Sequence, residues 1–314
     1  MFASDFELVG TSPKFQKSVD FAKNVAVTKT PVLIVGETGT GKRTLCKFIH
    51  TSSARRAHAF QVVDCSQDPK KVEQEILGYR DPETGKFNKG VLEFSNHGTV
   101  VFANIDGLDE NFQKRLYTIL QELGDYDLDV RVLATTSKNL SKYVGAGRFY
   151  RALYTYFGNT QINLAPLRER TVDIQDLSRY FVNKAVSESD ENLSLNFSHE
   201  ALEKITSYYW THNIAELKSV IENAIENANE GVIDLNAIEL GEKKADSSNI
   251  DDDEDGLRLM SLKEAEKLLI RKALIHTSEN RTQAAKILGV SIRTLRNKIN
   301  EYRHGGQSYF VNLR

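Results

Sequence analysis

Residues 31–44 decide the fold: Pro31-Val32-Leu33-Ile34-Val35 runs directly into Gly36-Glu37-Thr38-Gly39-Thr40-Gly41-Lys42, after which Arg43 and Thr44 open an amphipathic helix. A short apolar strand that breaks into glycines and restarts as a helix is the setting of a phosphate-binding loop. Glycines let backbone N–H groups turn toward phosphate oxygens, the helix N-terminus adds its dipole, and a lysine placed as Lys42 is reaches the terminal phosphates. The Ser or Thr that usually follows the lysine, and holds Mg²⁺, is here Arg43, with Thr44 one place late. The candidate ligand-binding residues are therefore Gly36, Glu37, Thr38, Gly39, Thr40, Gly41, Lys42, Arg43 and Thr44.

Outward from the loop, apolar runs of strand length at 31–35, 60–63, 99–102, 130–134 and 160–164 alternate with helical patterns such as 112–123. That alternation predicts an α/β layer built on a parallel sheet. After Leu167 the strand signals stop, and 176–186, 199–210 and 214–228 carry helical spacing, which predicts an all-helical second subdomain. Residues 242–256 are polar, acidic and almost without apolar side chains, as a linker would be. Ser261-Leu262-Lys263-Glu264 then has capping-box spacing and starts a fresh helix. The expected organisation is an α/β P-loop subdomain (1–166), a helical subdomain (167–240), an acidic linker (241–259), a separate all-α domain (260–304) and a tail (305–314) with no assigned role.

Charge is distributed unevenly. The chain of 314 residues carries a net charge of -2, yet from Met260 onward 11 Lys/Arg face 4 acids, just after the acidic run Asp251 to Asp255. A basic end on a neutral chain fits a polyanion-binding module, and a solvated helical surface would show the same charges. Two cysteines, Cys46 and Cys65, have no Cys/His ligand spacing around them, so neither a zinc site nor a disulfide framework is expected. Cys65 follows a strand-like run and is expected in the core. No apolar stretch approaches the length of a membrane span and the N-terminus has no signal-peptide pattern, so a cytoplasmic protein is expected.

The C-terminal module has its own signature. Residues 261–277 form one helical pattern with Leu262, Ala265, Leu268, Leu269 and Ala273 on an apolar face, as packing within a core would use. Asn280-Arg281-Thr282-Gln283-Ala284-Ala285-Lys286-Ile287-Leu288-Gly289-Val290-Ser291 reads as a short helix and a tight turn. Ala284 and Ala285 permit close approach, Gly289 suits the turn, and Ser291 can cap the next helix. That helix, 292–302, is expected to bury Ile292, Leu295 and Ile299 and to present Arg293, Thr294, Arg296, Asn297, Lys298 and Asn300 on the opposite face. Such a helix can enter a major groove, so Arg281, Thr282, Ser291, Arg293, Thr294, Arg296, Asn297 and Lys298 are the candidate contacts to double-stranded DNA.

The loop, the segment Ala165-Pro166-Leu167-Arg168-Glu169-Arg170, the pair Leu8-Val9-Gly10 and Trp210…Asn213…Glu216-Leu217, and the C-terminal module together resemble the bacterial enhancer-binding proteins that activate sigma-54 RNA polymerase. The resemblance runs from about residue 8 to 302. It implies an AAA+ fold with a helical lid, ATP as the nucleotide, a Fis-type helix-turn-helix on DNA, dimerisation through the C-terminal domain and an AAA+ ring. Many members also carry an N-terminal receiver or sensor domain, for which these residues leave no room.

Against that family pattern the hydrolytic parts are depleted. The Walker B Asp-Glu that would hold metal and activate water falls on Ala103 and Asn104, within Thr99-Val100-Val101-Phe102-Ala103-Asn104-Ile105. The two arginine-finger positions fall on Tyr150 and Tyr156, with Arg151 beside the first. The second-sensor arginine falls on Ala215, and the asparagine that orients the glutamate falls on Asp64. The polymerase-gripping loop is replaced by residues 80–89, where Phe87 alone echoes its central aromatic and would equally serve in packing. No catalytic and no metal-ligating residue is assigned, Asp106 being the one carboxylate placed to substitute as a metal ligand if the strand ends early. Because each lost transition-state charge commonly costs decades of rate, the expectation is a DNA-binding regulator that binds ATP with little or no hydrolysis. The rival is a working activator ATPase that remodels the sigma-54 holoenzyme, alone or in a mixed ring with an intact relative. A third reading is a protein scaffold with a vestigial DNA module.

Overall fold

A computed structural model describes residues 7–158, 160–188, 195–228, 231–240, 266, 269, 270, 273, 274, 277 and 280–304. The chain divides into two compact units, Met1–Gly241 and Glu242–Arg314. The acidic linker, the capping box at Ser261, the face residues Leu262, Ala265 and Leu268, and the tail all lie outside the described residues.

The first unit opens with α1 (Pro13–Ala26), whose Ser12 cap accepts from the Phe15 N–H and whose Pro13 suits the first helical position. Then follow β1 (Val32–Val35), α2 (Lys42–Thr51), β2 (Phe60–Asp64), α3 (Pro69–Leu77), a hairpin of β3 (Gly78–Arg80) and β4 (Phe87–Lys89), α4 (Val91–Phe94), β5 (Thr99–Ala103), α5 (Glu110–Glu122), β6 (Arg131–Thr136), α6 (Leu140–Gly145), α7 (Arg151–Phe157) and β7 (Gln161–Asn163). Five strands form one parallel sheet in the order β2-β5-β6-β1-β7. Strand alternation sends Val32, Ile34, Val101 and Leu133 to one face, against α1 and α2, and Leu33, Val100, Phe102, Val132 and Ala134 to the other, against α3, α5 and α7. Arg131, at the start of β6, is buried and donates to the Ala26 and Val25 carbonyls, so a cation closes the C-terminal end of α1.

The second half of this unit is α8 (Val172–Glu188), β8 (Asn196–Phe197), α9 (His199–Ser207), α10 (Asn213–Glu226) and β9 (Val232–Ile233). The helices enclose a separate core around Trp210, whose indole N–H donates to the Ile205 carbonyl at 2.9 Å. Two points correct the sequence reading. The lid is not purely helical, because β8 and β9 pair in parallel. The sixth strand reaches Thr136 rather than stopping at Ala134, which carries Thr135 and Thr136 to the loop's side of the sheet.

In the second unit, α11 (Arg281–Ile287) and α12 (Ile292–His304) pack around Ala284, Ala285, Leu295, Ile299 and Tyr302, together with Ile270, Ala273 and Leu274. Asn280 caps α11, Gly289 takes φ +67° in the turn, and Ser291 Oγ accepts from the Thr294 N–H at 3.0 Å. Ile292, the first residue of α12, is exposed, not buried as its spacing predicts. Leu269 is exposed as well, while Ala273 is buried.

Candidate functional site

The glycine loop lies at the C-terminal end of β1, between β6 and β7, where parallel sheets place their ligands. Gly41 precedes α2 at φ +97° and supplies no side-chain cap, so the first-turn N–H groups of that helix have no intrahelical acceptor. Thr40 Oγ1 donates to the Glu37 carbonyl at 2.8 Å and so tightens the loop. Lys42 Nζ bridges the Gly36 and Glu37 carbonyls at 2.7 and 2.9 Å. Burial pushes the Lys42 ammonium down from its ordinary value, against the opposing charges of Asp106 and Glu37. Arg43 is exposed and Thr44 half-buried on the same turn.

The lid grips this loop through residues to which the sequence assigned no role. Arg168 holds Glu37 with two parallel bonds of 2.7 and 2.5 Å and lies 5.2 Å over the Tyr209 ring. That pairing holds the Glu37 carboxyl below its ordinary range, burial opposing it. Asn213, fully buried at the start of α10, donates to the Thr38 carbonyl at 2.9 Å and to Glu37 Oε2 at 3.2 Å and accepts from the Leu167 N–H at 2.7 Å. Arg170, also buried, donates to the Thr40 carbonyl at 2.9 Å. The His212 carbonyl comes so close to Gly39 that a β-carbon there would lie 2.0 Å from it, at φ +78°. These contacts follow from the pairing of β7 with β1, which brings Pro166 to Arg170 out of the sheet beside the loop.

The strand ends beside the loop carry Asp64, Ala103 and Asn104. Asp64 and Ala103 are paired residues at the ends of β2 and β5. Asn104, at φ +53°, turns the chain there, and its Nδ2 donates to Asp64 Oδ1 at 3.1 Å. Ser66 adds donors to the same oxygen from its N–H at 3.1 Å and its hydroxyl at 2.7 Å. The Asp64 carboxyl sits below its ordinary value, burial opposing the Ser66 and Asn104 bonds and the Arg43 charge that hold it down. Asp106 Oδ1 accepts from Thr136 Oγ1 at 2.5 Å. Ala215 faces the loop with only a methyl group, 3.1 Å from where a Gly39 β-carbon would stand.

The two finger positions are turned into the protein. The Tyr150 N–H donates to Gln113 Oε1 and its ring stands edge-on to Tyr117, while Tyr156 stands edge-on to Phe157. Burial pushes the Tyr156 phenol up to about 12. Arg151 is exposed on the first turn of α7. Phe87 is exposed on the β3–β4 hairpin rather than packed. Both cysteines are buried and free.

A P-loop Mg²⁺ takes oxygen ligands from a hydroxyl on the first helical turn, from a strand-end carboxylate and from the phosphates. Here those protein positions hold a guanidinium (Arg43) and a methyl group (Ala103). Among the described residues no three His, Cys, Asp or Glu side chains group to hold a metal. At the two usual donor positions, Arg43 and Ala103, the side chains do not fit the ion.

On α12, Arg293, Thr294, Arg296 and Asn297 are exposed together. Ser291 and Thr294 hydroxyls lie 2.8 Å apart at its start. Thr282 is exposed and Arg281 half-buried at the start of α11. Lys298 sits apart from this set: it is half-buried and donates to Glu266 Oε2 at 3.0 Å, an oxygen shared with the Tyr302 hydroxyl. No described helix is long and apolar enough to cross a membrane.

A nucleotide-type loop under a helical lid, with a helix-turn-helix in a separate unit, defines the class. Residues 8–163 match the family model described as the sigma-54 interaction domain, 168–254 the AAA+ ATPase lid domain, and 261–302 the bacterial regulatory protein, Fis family. The chain is 31% identical over 312 residues, 95% of its length, to the transcriptional regulatory protein ZraR of Klebsiella oxytoca, of which it spans 69%. It is 36% identical over 239 residues to the Nif-specific regulatory protein of Azospirillum brasilense, covering 72% of this chain but only 38% of that one. The chain therefore belongs to the family of regulatory proteins that join a sigma-54 interaction domain of the AAA+ class to a Fis-type DNA-binding domain. Among solved structures, NtrX from Brucella abortus in complex with ATP shares the fold with a TM-score of 0.66 at 18% identity, over 94% of this chain and 69% of that one.

Proposed function

We propose that this protein is a sequence-specific regulator of transcription that binds double-stranded DNA through α12 and ATP through its glycine loop, and that it turns ATP over negligibly. The observation that carries the reading is the end of β5. Ala103 cannot ligate a metal, and the Asn104 amide, already donating to Asp64, cannot take a proton from water. Loss of one transition-state charge commonly costs two or more decades of rate, and here the base, a ligand, both fingers and a sensor position are altered together. The loop residues 36–44 are the proposed nucleotide contacts. Arg281, Thr282, Ser291, Arg293, Thr294, Arg296 and Asn297 are the proposed DNA contacts, with Lys298 the least available of the original set because Glu266 holds it.

Bound ATP then serves as a structural or sensory ligand at a loop that the lid already grips. The proposed partners are a second copy through the C-terminal unit, an AAA+ ring, and either the sigma-54 polymerase or an intact relative in a mixed ring, all in the cytoplasm. Strong promoter activation in a cell lacking every other activator of the family would contradict the reading. A second reading, a working activator, draws on Asp106, whose charge acts on Lys42 and whose carboxylate is set by Thr136. Asp106→Ala separates the two: it abolishes turnover if turnover exists and changes nothing in the rate if it does not.

A further inference from the structure

We propose that this site holds the nucleotide without a divalent cation, Arg43 supplying the positive charge that a metal would otherwise bring. The inference rests on the ATP-binding reading above and specifies the ligand as the free polyphosphate rather than its Mg²⁺ chelate.

Arg43 is the second residue of α2, one position past Lys42, so both cations sit on the helical turn whose N–H groups have no intrahelical acceptor. It is exposed at the mouth of the site, and its charge is felt by the Asp64 carboxylate at the end of β2. By position it is the residue after the P-loop lysine, on the first turn of α2 beside the gap to the ends of β2 and β5. That gap is where a P-loop metal would bridge helix and strand.

The surrounding groups are arranged against a metal and in favour of an anion. A guanidinium ligates no cation, and it repels one. Ala103 offers nothing at the strand end. Asp64 Oδ1 already takes three donors, from Ser66 twice and Asn104 once, and Asp106 Oδ1 is taken by Thr136. Mg²⁺ demands a near-ideal shell of oxygens and gives up water reluctantly, so a crowded pair of carboxylates beside a fixed cation serves it poorly. A planar guanidinium, by contrast, matches two phosphate oxygens at once and is never deprotonated. Arg43 adds one positive charge beside that of Lys42, where a metal would add two, and it costs no ion capture.

Titration calorimetry of the full chain with ATP, once in excess EDTA and once in excess Mg²⁺, tests this. The expected Kd in EDTA is equal to that in Mg²⁺ or tighter, within about threefold. Arg43→Thr, which puts a hydroxyl where the guanidinium was, is expected to weaken binding in EDTA by about tenfold or more and to recover part of that loss when Mg²⁺ is added. Arg43→Gln should show the loss without the recovery. Binding by the native chain only in Mg²⁺, or Arg43→Thr binding as tightly as the native chain in EDTA, overturns the inference while leaving ATP binding intact. No binding under either condition overturns both. Because Arg43 is exposed, the variants are expected to keep the native urea midpoint of Trp210 fluorescence, which separates lost affinity from lost folding.

Discussion

Replacing Asn213 by alanine removes three hydrogen bonds at the junction of lid and loop, to Leu167, Thr38 and Glu37. The Leu167 N–H is the group with most at stake, since Leu167 and Asn213 are both fully buried and water cannot take over the bond. An orphaned buried donor costs about 1–3 kcal/mol, whereas Thr38 is exposed and its carbonyl can turn to water. Asn213 also holds φ +55°, a left-handed conformation that asparagine tolerates and alanine does not, at about 1 kcal/mol. The expected total is about 2–4 kcal/mol. Asn213→Gly loses the same bonds without the backbone penalty and should be milder by about 1 kcal/mol. The chain has a single tryptophan, Trp210, buried in the lid core three residues before Asn213. Urea unfolding followed by tryptophan fluorescence therefore reports on this junction directly. A loss below about 1 kcal/mol for Asn213→Ala, or no difference between Ala and Gly, would refute the assignment of Asn213 as the pin between lid and loop.

Other variants probe separate parts of the structure. Gly39→Ala forces a β-carbon onto the His212 carbonyl at φ +78°, so the lid must move off the loop and ATP affinity should fall at least about tenfold by calorimetry. Arg168 holds the Glu37 carboxyl below its ordinary 4.5, so this pair stabilises the fold above that pH and loses its contribution as pH falls through the lower folded value. Glu37→Gln should accordingly flatten the acid limb of the Trp210 urea midpoint below about pH 4.5, while lowering the midpoint at neutral pH. Ser291→Ala removes the cap of α12 and should cost the C-terminal unit about 1 kcal/mol, read as reduced helicity by circular dichroism on heating. Arg293→Ala or Arg296→Ala should change the salt slope of DNA binding or relax the preference at one base position, a phosphate contact lowering the slope by about 1.

Much of the architecture was legible because its signals are local. The loop announces itself by glycine and lysine spacing, the sheet by short apolar runs, and the C-terminal module by Ala284, Ala285, Gly289 and Ser291 at the places a tight helical turn needs them. What the chain conceals is contact between residues remote in sequence. Asp64 and Asn104 stand 40 positions apart, and only the pairing of β2 with β5 brings the amide onto the carboxylate. The grip of Arg168 and Asn213 on Glu37 likewise depends on β7 lying beside β1. The strands β8 and β9 are two residues each, too short for any periodicity to register. Spacing says which face Ile292 is on and not whether that position is covered. Lys298 reads as a phosphate contact until Glu266, contributed by a different helical segment, is seen to hold it.

On this reading ATP is bound and kept. This is tested most directly by measuring ATP binding and ATP turnover on one purified sample of the full chain, with Lys42→Ala as the control. Saturable binding that is lost in the control is expected, with no turnover above that of the control. Turnover by the native chain that Lys42→Ala abolishes would contradict it, and would show that the strand-end replacements at Ala103 and Asn104 leave a working ATPase.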